Sequence, residues 1–318
     1  MITYRNPVWP GYFADPFVLK SGDEYYAYGT GSAEPLADKR VFAVLNSRDL
    51  VRWDLVGGAL EPPSGPHRSA YWAPEVAERN GRFYMYYSSA GGPGDEGHRL
   101  YVAVADHPAG PFREMERPLL PDEGFAIDAH PFQDPLDGRW YLIFAKDFFD
   151  ARAGTALAAV PLGDDMVSVA GSVTTLLRAS DDWQIYERQR LHYGRLWDAW
   201  HTLEGPTLRV QDGRYFLLYS GGNWQSGSYG VGCAVADSVL GPYKEPEAGP
   251  VVLSGRPDQV NGPGHCCVVP AHDGHTEFIV YHAWDADLTA RRMCIDPLVT
   301  TDVGPRCLGP TWTEQILP

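Results

Sequence analysis

Three carboxylic acids stand at one kind of place in this chain. Asp15 lies in Ala14-Asp15-Pro16-Phe17, Asp128 in Ile127-Asp128-Ala129-His130-Pro131, and Glu204 in Leu203-Glu204-Gly205-Pro206. Each precedes a proline that opens a segment, and each segment runs through a polar turn into an aromatic-rich run. Carboxylates are rarely buried unless paired or functional. Crowded together, they repel, and at least one is driven toward its protonated form. A protonated acid beside an ionised one is what cleavage of a glycosidic bond requires. The first donates a proton to the leaving oxygen; the second activates water or attacks carbon. Singly, the two aspartates have structural explanations, whereas Glu204 before Gly-Pro is less easily explained as turn chemistry. Asp before Pro opens turns, Asp128 can cap a loop, and Glu75, in Trp72-Ala73-Pro74-Glu75, follows its proline and so faces elsewhere. The coincidence of three acids at matching repeat positions is what points to chemistry.

The elements that position them form a repeat. Five strands are predicted at Glu24–Thr30, Arg82–Ser89, Arg139–Lys146, Arg214–Ser220 and Glu277–Trp284. Most follow turns such as Arg79-Asn80-Gly81 or Gln211-Asp212-Gly213, which are hairpin signals. The prolines opening the repeats are Pro16, Pro74, Pro131, Pro206 and Pro263, spaced by 58, 57, 75 and 57 residues. Small-residue strands follow at Leu100–Ala105 and Gly230–Ala236. Repeats of roughly 60 residues with about four short strands each predict an all-β fold, a five-bladed β-propeller in one catalytic domain over residues 1–318. The aromatic strands are almost continuously apolar, as expected of sheets covered on both faces. A two-domain β-sandwich is the competing architecture, but no composition shift or linker marks a boundary. The Pro-marked segments are the expected innermost strands, lining the central channel. The long third interval predicts an insertion within 147–200 that lies over one face.

Composition narrows the function. The 318 residues carry 26 basic and 41 acidic side chains, a net charge of −15. Such a surface repels phosphate backbones and anionic membranes, so neither nucleic acid nor membrane is an expected partner. The N-terminal residues show no charged region followed by an apolar run, and the five cysteines form no CxxC pair. A reduced cytoplasmic location is the expectation. The expected partner is an oligosaccharide, with the protein a monomer or small homo-oligomer.

The ordered motifs resemble those of glycoside hydrolase family 43, the five-bladed propeller hydrolases of arabinose- and xylose-containing glycans. The carrying segments are Ala14-Asp15-Pro16, Trp72-Ala73-Pro74-Glu75, Ile127-Asp128-Ala129-His130-Pro131, Glu204-Gly205-Pro206, Gly262-Pro263-Gly264-His265 and Tyr281-His282-Ala283-Trp284, spanning most of the chain. The resemblance implies that Asp15 is the general base, Glu204 the general acid, and Asp128 the residue that orients Glu204 and raises its pKa. It implies inversion, with base and acid about 6.5–9.5 Å apart. It places His265 near the channel centre beside a calcium or other ion held mostly by water, and it implies no cofactor for the chemistry itself. It suggests Trp72 as a ring-stacking residue and Arg292, with Arg291 as competitor, as a contact to sugar hydroxyls. Cys266-Cys267 departs from the small polar pair frequent in the family at that point. The expected activity is exo-acting release of a terminal α-L-arabinofuranosyl or β-D-xylosyl unit from plant-derived oligosaccharides. An endo-1,5-α-L-arabinanase is the alternative within the class, and a catalytically inactive sugar-binding propeller the alternative outside it. An interaction propeller of the WD type lacks its recurring Gly-His and Trp-Asp signature here.

Overall fold

Hairpins set the local structure. Asn80-Gly81 and Asp212-Gly213 have φ of 52° and 74°, and of 51° and 75°. Positive φ at both central residues gives the tight turn whose twist matches antiparallel strands. Each pair joins strands in direct register, Arg79 opposite Arg82 and Gln211 opposite Arg214.

The computed structural model describes residues 2–31, 36–63, 70–92, 96–115 and 117–317. They form five blade sheets, in which strands pair antiparallel with the next in sequence, and a short two-stranded sheet of Thr3–Tyr4 with Gln315–Ile316. Blade one comprises Phe17–Ser21, Glu24–Tyr28, Val41–Ser47 and Asp54–Leu60. Blade two comprises Ala70–Arg79, Arg82–Ala90, Arg99–Ala105 and Arg113–Glu114. Blade three has Ala126–Gln133, Trp140–Phe148, Gly154–Pro161 and Thr174–Leu177. Blade four has Leu203–Gln211, Arg214–Gly221 and Gly230–Ala236. Blade five has Asn261–Pro270, Glu277–Trp284, Arg291–Thr301 and Gly304–Cys307. The first strands touch in the order one, two, three, four, five and back to one. That closed ring makes the fold a five-bladed β-propeller with the Pro-marked strands innermost.

Five apolar clusters fill the gaps between neighbouring blades. Tyr25 of blade one packs with Val280 and Ile295 of blade five. Phe42 meets Met85 and Tyr87 across the one–two gap. Tyr86 and Phe144 meet across two–three, Ile143 and Leu217 across three–four, and Leu218 and Ile279 across four–five. Every second strand is therefore buried on both faces, which is why its sequence runs apolar without alternation. Each such side chain contributes about 1.5–3 kcal/mol by leaving water.

The only helical segment among the described residues is one 3₁₀ turn, Asp182–Gln184. The five cysteines are free thiols. The long interval in blade three is a hairpin of Ile185–His192 and Arg195–His201, which joins the sheet through a parallel bridge from Gly154 to His201.

Candidate active site

The hub is built from one recurring irregularity. In four blades the innermost strand slips register, between Trp72 and Glu75, Ile127 and His130, Glu204 and Thr207, and Gly264 and Cys267. Inside each slip one residue adopts left-handed backbone: Ala73 at φ 44°, Asp128 at 58°, Gly205 at 54° and His265 at 46°. In blade one the corresponding residue is Asp15 at 51°, two residues before Phe17 pairs with Tyr28. For an L-residue this conformation costs about 1–2 kcal/mol. Side chains help to hold it. The N–H of Asp15 donates to His282 Nδ1 (3.1 Å), that of Ala73 to Thr30 Oγ1 (2.9 Å), that of Gly205 to Asp128 Oδ2 (2.9 Å) and that of His265 to Ser220 Oγ (2.7 Å).

This register corrects the expectation that the three acids are equivalent. Asp15 and Asp128 occupy the left-handed position, but blade four puts Gly205 there. Glu204 sits one residue earlier, opposite Ser220, just as Trp72 sits opposite Ser88 in blade two. Glu204 and Trp72 are thus the equivalent pair. The proline marks the segment but not the register.

The bulges turn these side chains into one cavity of about 250 Å³, lined by Asp15, Asp128, Glu204, Trp72, His265 and Arg291 among others. Asp15 is buried. Its Oδ1 accepts from Arg291 Nη1 at 2.9 Å, and Thr30 Oγ1 donates to its Oδ2. His282 Nδ1 and His265 Nδ1 lie 3.2 and 3.4 Å from Oδ1. Burial pushes this carboxyl up, but Arg291 and the two imidazoles outweigh it and hold Asp15 well below the usual range. It stays ionised. His282 accepts the Asp15 amide proton on Nδ1, and burial drives it to about 4, so it is neutral.

Asp128 is opposite in character. It accepts the Gly205 N–H, and His265 Nδ1 is 3.8 Å away. Burial first, then repulsion from Glu204 and Asp15, raises it well above the usual range. Glu204 accepts a hydrogen bond from the Tyr229 hydroxyl at 2.7 Å. Burial and the charge of Glu204 keep that phenol protonated. Tyr229 in turn stacks on His282, with ring centroids 5.8 Å apart.

Trp72 is half-buried and stacks on His98 at 3.6 Å. Arg292 does not reach the cavity: it pairs with Asp285 at 3.0 Å and donates to the Pro10 carbonyl. Arg291 holds the place expected of it. Strand alternation decides this, because Arg291 shares the face of Met293 and Ile295, which pack toward blade one. Besides Asp15, Arg291 bonds Tyr12 Oη at 3.1 Å and lies over the Trp224 ring at 4.5 Å. Glu75 lies outside the cavity lining. His130 donates to it from Nδ1 at 2.7 Å and accepts from the Leu208 N–H, forming a brace between strands. Sequence reasoning missed Tyr229, Thr30 and Tyr12. Only His282, inside a quoted motif, carried a signal.

The side chains near His265 would supply only part of a calcium shell, leaving the rest to water as the resemblance implies. Among the described residues, no three His, Cys, Asp or Glu side chains are grouped to hold a metal ion. His265 offers a single ring, Asp15 is engaged by Arg291 and Thr30, and Asp128 by Gly205. Calcium takes about six to eight oxygens.

A closed five-bladed wheel whose hub gathers an ionised and a protonated carboxyl beside a third acid defines a glycoside hydrolase. The family model for glycosyl hydrolases family 43 matches residues 4–304, and the chain belongs to that family. A crystal structure of a thermostable family-43 glycoside hydrolase superposes with a TM-score of 0.86 at 33% identity, covering 99% of both chains. A β-D-galactofuranosidase of Aspergillus niger is 28% identical over 94% of this chain and 83% of its own. An extracellular exo-α-(1→5)-L-arabinofuranosidase of Streptomyces chartreusis is 27% identical over 88% of this chain and 82% of its own. The protein is a glycosidase.

Proposed function

We propose that this glycosidase is inverting and exo-acting, and that it releases terminal α-L-arabinofuranosyl or β-D-xylosyl units from oligosaccharides. The single observation that carries the reading is the gathering of three carboxyls around one cavity, with Asp15 paired to Arg291 and Asp128 set beside Glu204. Asp15, ionised and fixed through both oxygens, is the base that takes a proton from the attacking water. Glu204 is the acid that protonates the leaving oxygen, oriented by Tyr229. Asp128 holds the Gly205 amide next to Glu204 and sets the local charge, so the corner keeps a proton to give. Arg291 neutralises Asp15 and turns its remaining edge toward the sugar hydroxyls, the role the resemblance gave to Arg292. Trp72 supplies the flat face for the ring. The insertion in blade three borders the cavity, which favours a closed pocket for a chain end over an open cleft. The relatives named as arabinofuranosidases support the pentose. The chemistry is assigned to the side chains alone.

The test is proton NMR of the first product formed from p-nitrophenyl α-L-arabinofuranoside and β-D-xyloside, with and without chelator. Inverted product and a rate unchanged by chelator are expected. A retained anomer overturns the water mechanism, and loss of rate on chelation overturns the metal-free assignment.

A further inference from the structure

The hairpin inserted in blade three is a strap over one side of the active-site cavity. Its returning strand, Arg195–His201, runs directly into Leu203–Gln211, the strand that carries Glu204. It is tied at both ends to other blades. Tyr186 Oη donates to Gln225 Oε1 at 3.2 Å, reaching the loop after the second strand of blade four. At the tip, the Tyr193 N–H donates to Glu96 at 3.2 Å and His192 Nδ1 lies 3.5 Å from the same carboxylate, in blade two. Tyr193 Oη also donates to Asp147 Oδ2 at 2.7 Å. Beneath the strap, Phe149, Trp197 and Trp200 form an aromatic base with ring centroids 5.5–6.1 Å apart.

Four of its side chains, Tyr186, Arg190, His192 and Trp200, line the cavity. Arg190 is the most constrained. Its guanidinium lies over the Tyr186 ring at 4.6 Å and over the Trp200 ring at 5.5 Å. A planar cation held on aromatic faces loses little freedom when it binds, and its fork of N–H groups matches adjacent oxygens. The strap leads directly into the strand that carries Glu204, while Asp15 and Arg291 come from blades one and five. The acid protonates the departing oxygen, so the departing sugar occupies the side where the strap is.

We propose that the strap is a leaving-group subsite, in which Arg190, flanked by Tyr186 and His192, binds the adjacent hydroxyls of a neutral sugar. This rests on the hydrolase reading above. The preference for a neutral sugar rests on the carboxyls that line the same cavity, the paired Asp15, Glu204 and Asp147 among them, which a uronic acid would have to approach.

The experiment compares Arg190→Met and Arg190→Lys with the parent on xylobiose, α-1,5-arabinobiose and the matching p-nitrophenyl glycosides. A bidentate contact from a charged donor is worth about tenfold or more in kcat/KM. Both variants should fall by at least that on the disaccharide, mainly through KM, and by clearly less on the aryl glycoside, whose ring has no adjacent hydroxyls. Equal losses on the two substrates overturn the proposal. So does full rescue by lysine, which lacks the fork. A second measurement decides the subsite even if turnover fails. Calorimetry of the disaccharides with Asp15→Asn, alone and combined with Arg190→Met, should show about tenfold weaker binding in the double variant. Equal affinities overturn the strap, as does tighter binding of an acidic disaccharide than a neutral one. Absence of turnover in the parent overturns the hydrolase reading instead.

Discussion

Asp15 and Asp128 have the same side chain, at the same left-handed position, in two blades of one ring. Both are buried. Yet one is held well below the usual carboxylate range and the other is pushed well above it. The backbone does not separate them, because both sit at φ near 55° on innermost strands. The difference comes from the blades beside them. Blade five presents Arg291 to Asp15, together with His282 and His265. Blade four presents Glu204 to Asp128. The fold supplies two equivalent mounts, and the neighbour's charge decides the proton. A symmetric scaffold thereby gives two like carboxyls opposite charge environments.

The comparison can be broken most violently at Asp15. Asp15→Asn removes a charge the site is built to hold, and turnover should drop about 10³-fold or more on every substrate, while calorimetry still detects ligand. Near-parental rates would mean that the charge in this corner is not used. Glu204→Gln tests the other corner. Oligosaccharide hydrolysis should fall about 10²- to 10³-fold, but hydrolysis of activated aryl glycosides by less than about tenfold, because a good leaving group needs little proton donation. Asp128→Asn sharpens the contrast. If Asp128 is already neutral, the amide keeps its charge state and can still accept from Gly205. The loss should then be about 10- to 100-fold, well short of the same change at Asp15, and kcat measured side by side decides it.

Arg291→Met should make the two corners alike. Without the guanidinium Asp15 rises toward the ordinary range, so the acidic limb of the rate profile moves to higher pH. The sign is that of a depressed carboxyl: its contribution to stability is present above the unfolded value and lost as pH falls through the folded one. Leaving that charge buried without its partner should also cost about 3 kcal/mol, visible in chemical denaturation at pH 7. The smallest effect involves a histidine. Burial drives His98, stacked under Trp72, to about 4. An imidazole depressed in the folded state supports stability above about pH 6.5 and withdraws that support as pH falls toward 4. His98→Phe keeps the stack and should flatten this part of the Tm–pH curve by a few degrees; an unaltered slope would acquit His98.

Much of this was legible in the residues. The turns Asn80-Gly81 and Asp212-Gly213, the aromatic strands between them and the five prolines gave the wheel, since hairpin chemistry is local. The acids were visible because a carboxyl beside a strand-opening proline is conspicuous. Their register was not. Asp15 stands one residue before its proline, Glu204 two and Asp128 three. That unequal spacing was the available sign that the bulge, not the proline, sets the position. The choice between Arg291 and Arg292 was beyond the sequence, because adjacent strand residues point to opposite faces and both faces here carry apolar neighbours. Tyr229 was hidden for a different reason: it is brought to Glu204 by a loop, and its chemistry exists only once blades four and five are packed.

One consequence lies in the position the acids do not use. Ala73 adopts the same bend as Asp15 and Asp128, with its amide already bonded to Thr30. The backbone there is shaped to carry a longer group, yet ends in a methyl. The wheel is therefore a chassis with five like sockets, two holding carboxyls and one an imidazole, and new chemistry can be fitted at Ala73 without re-forming the frame.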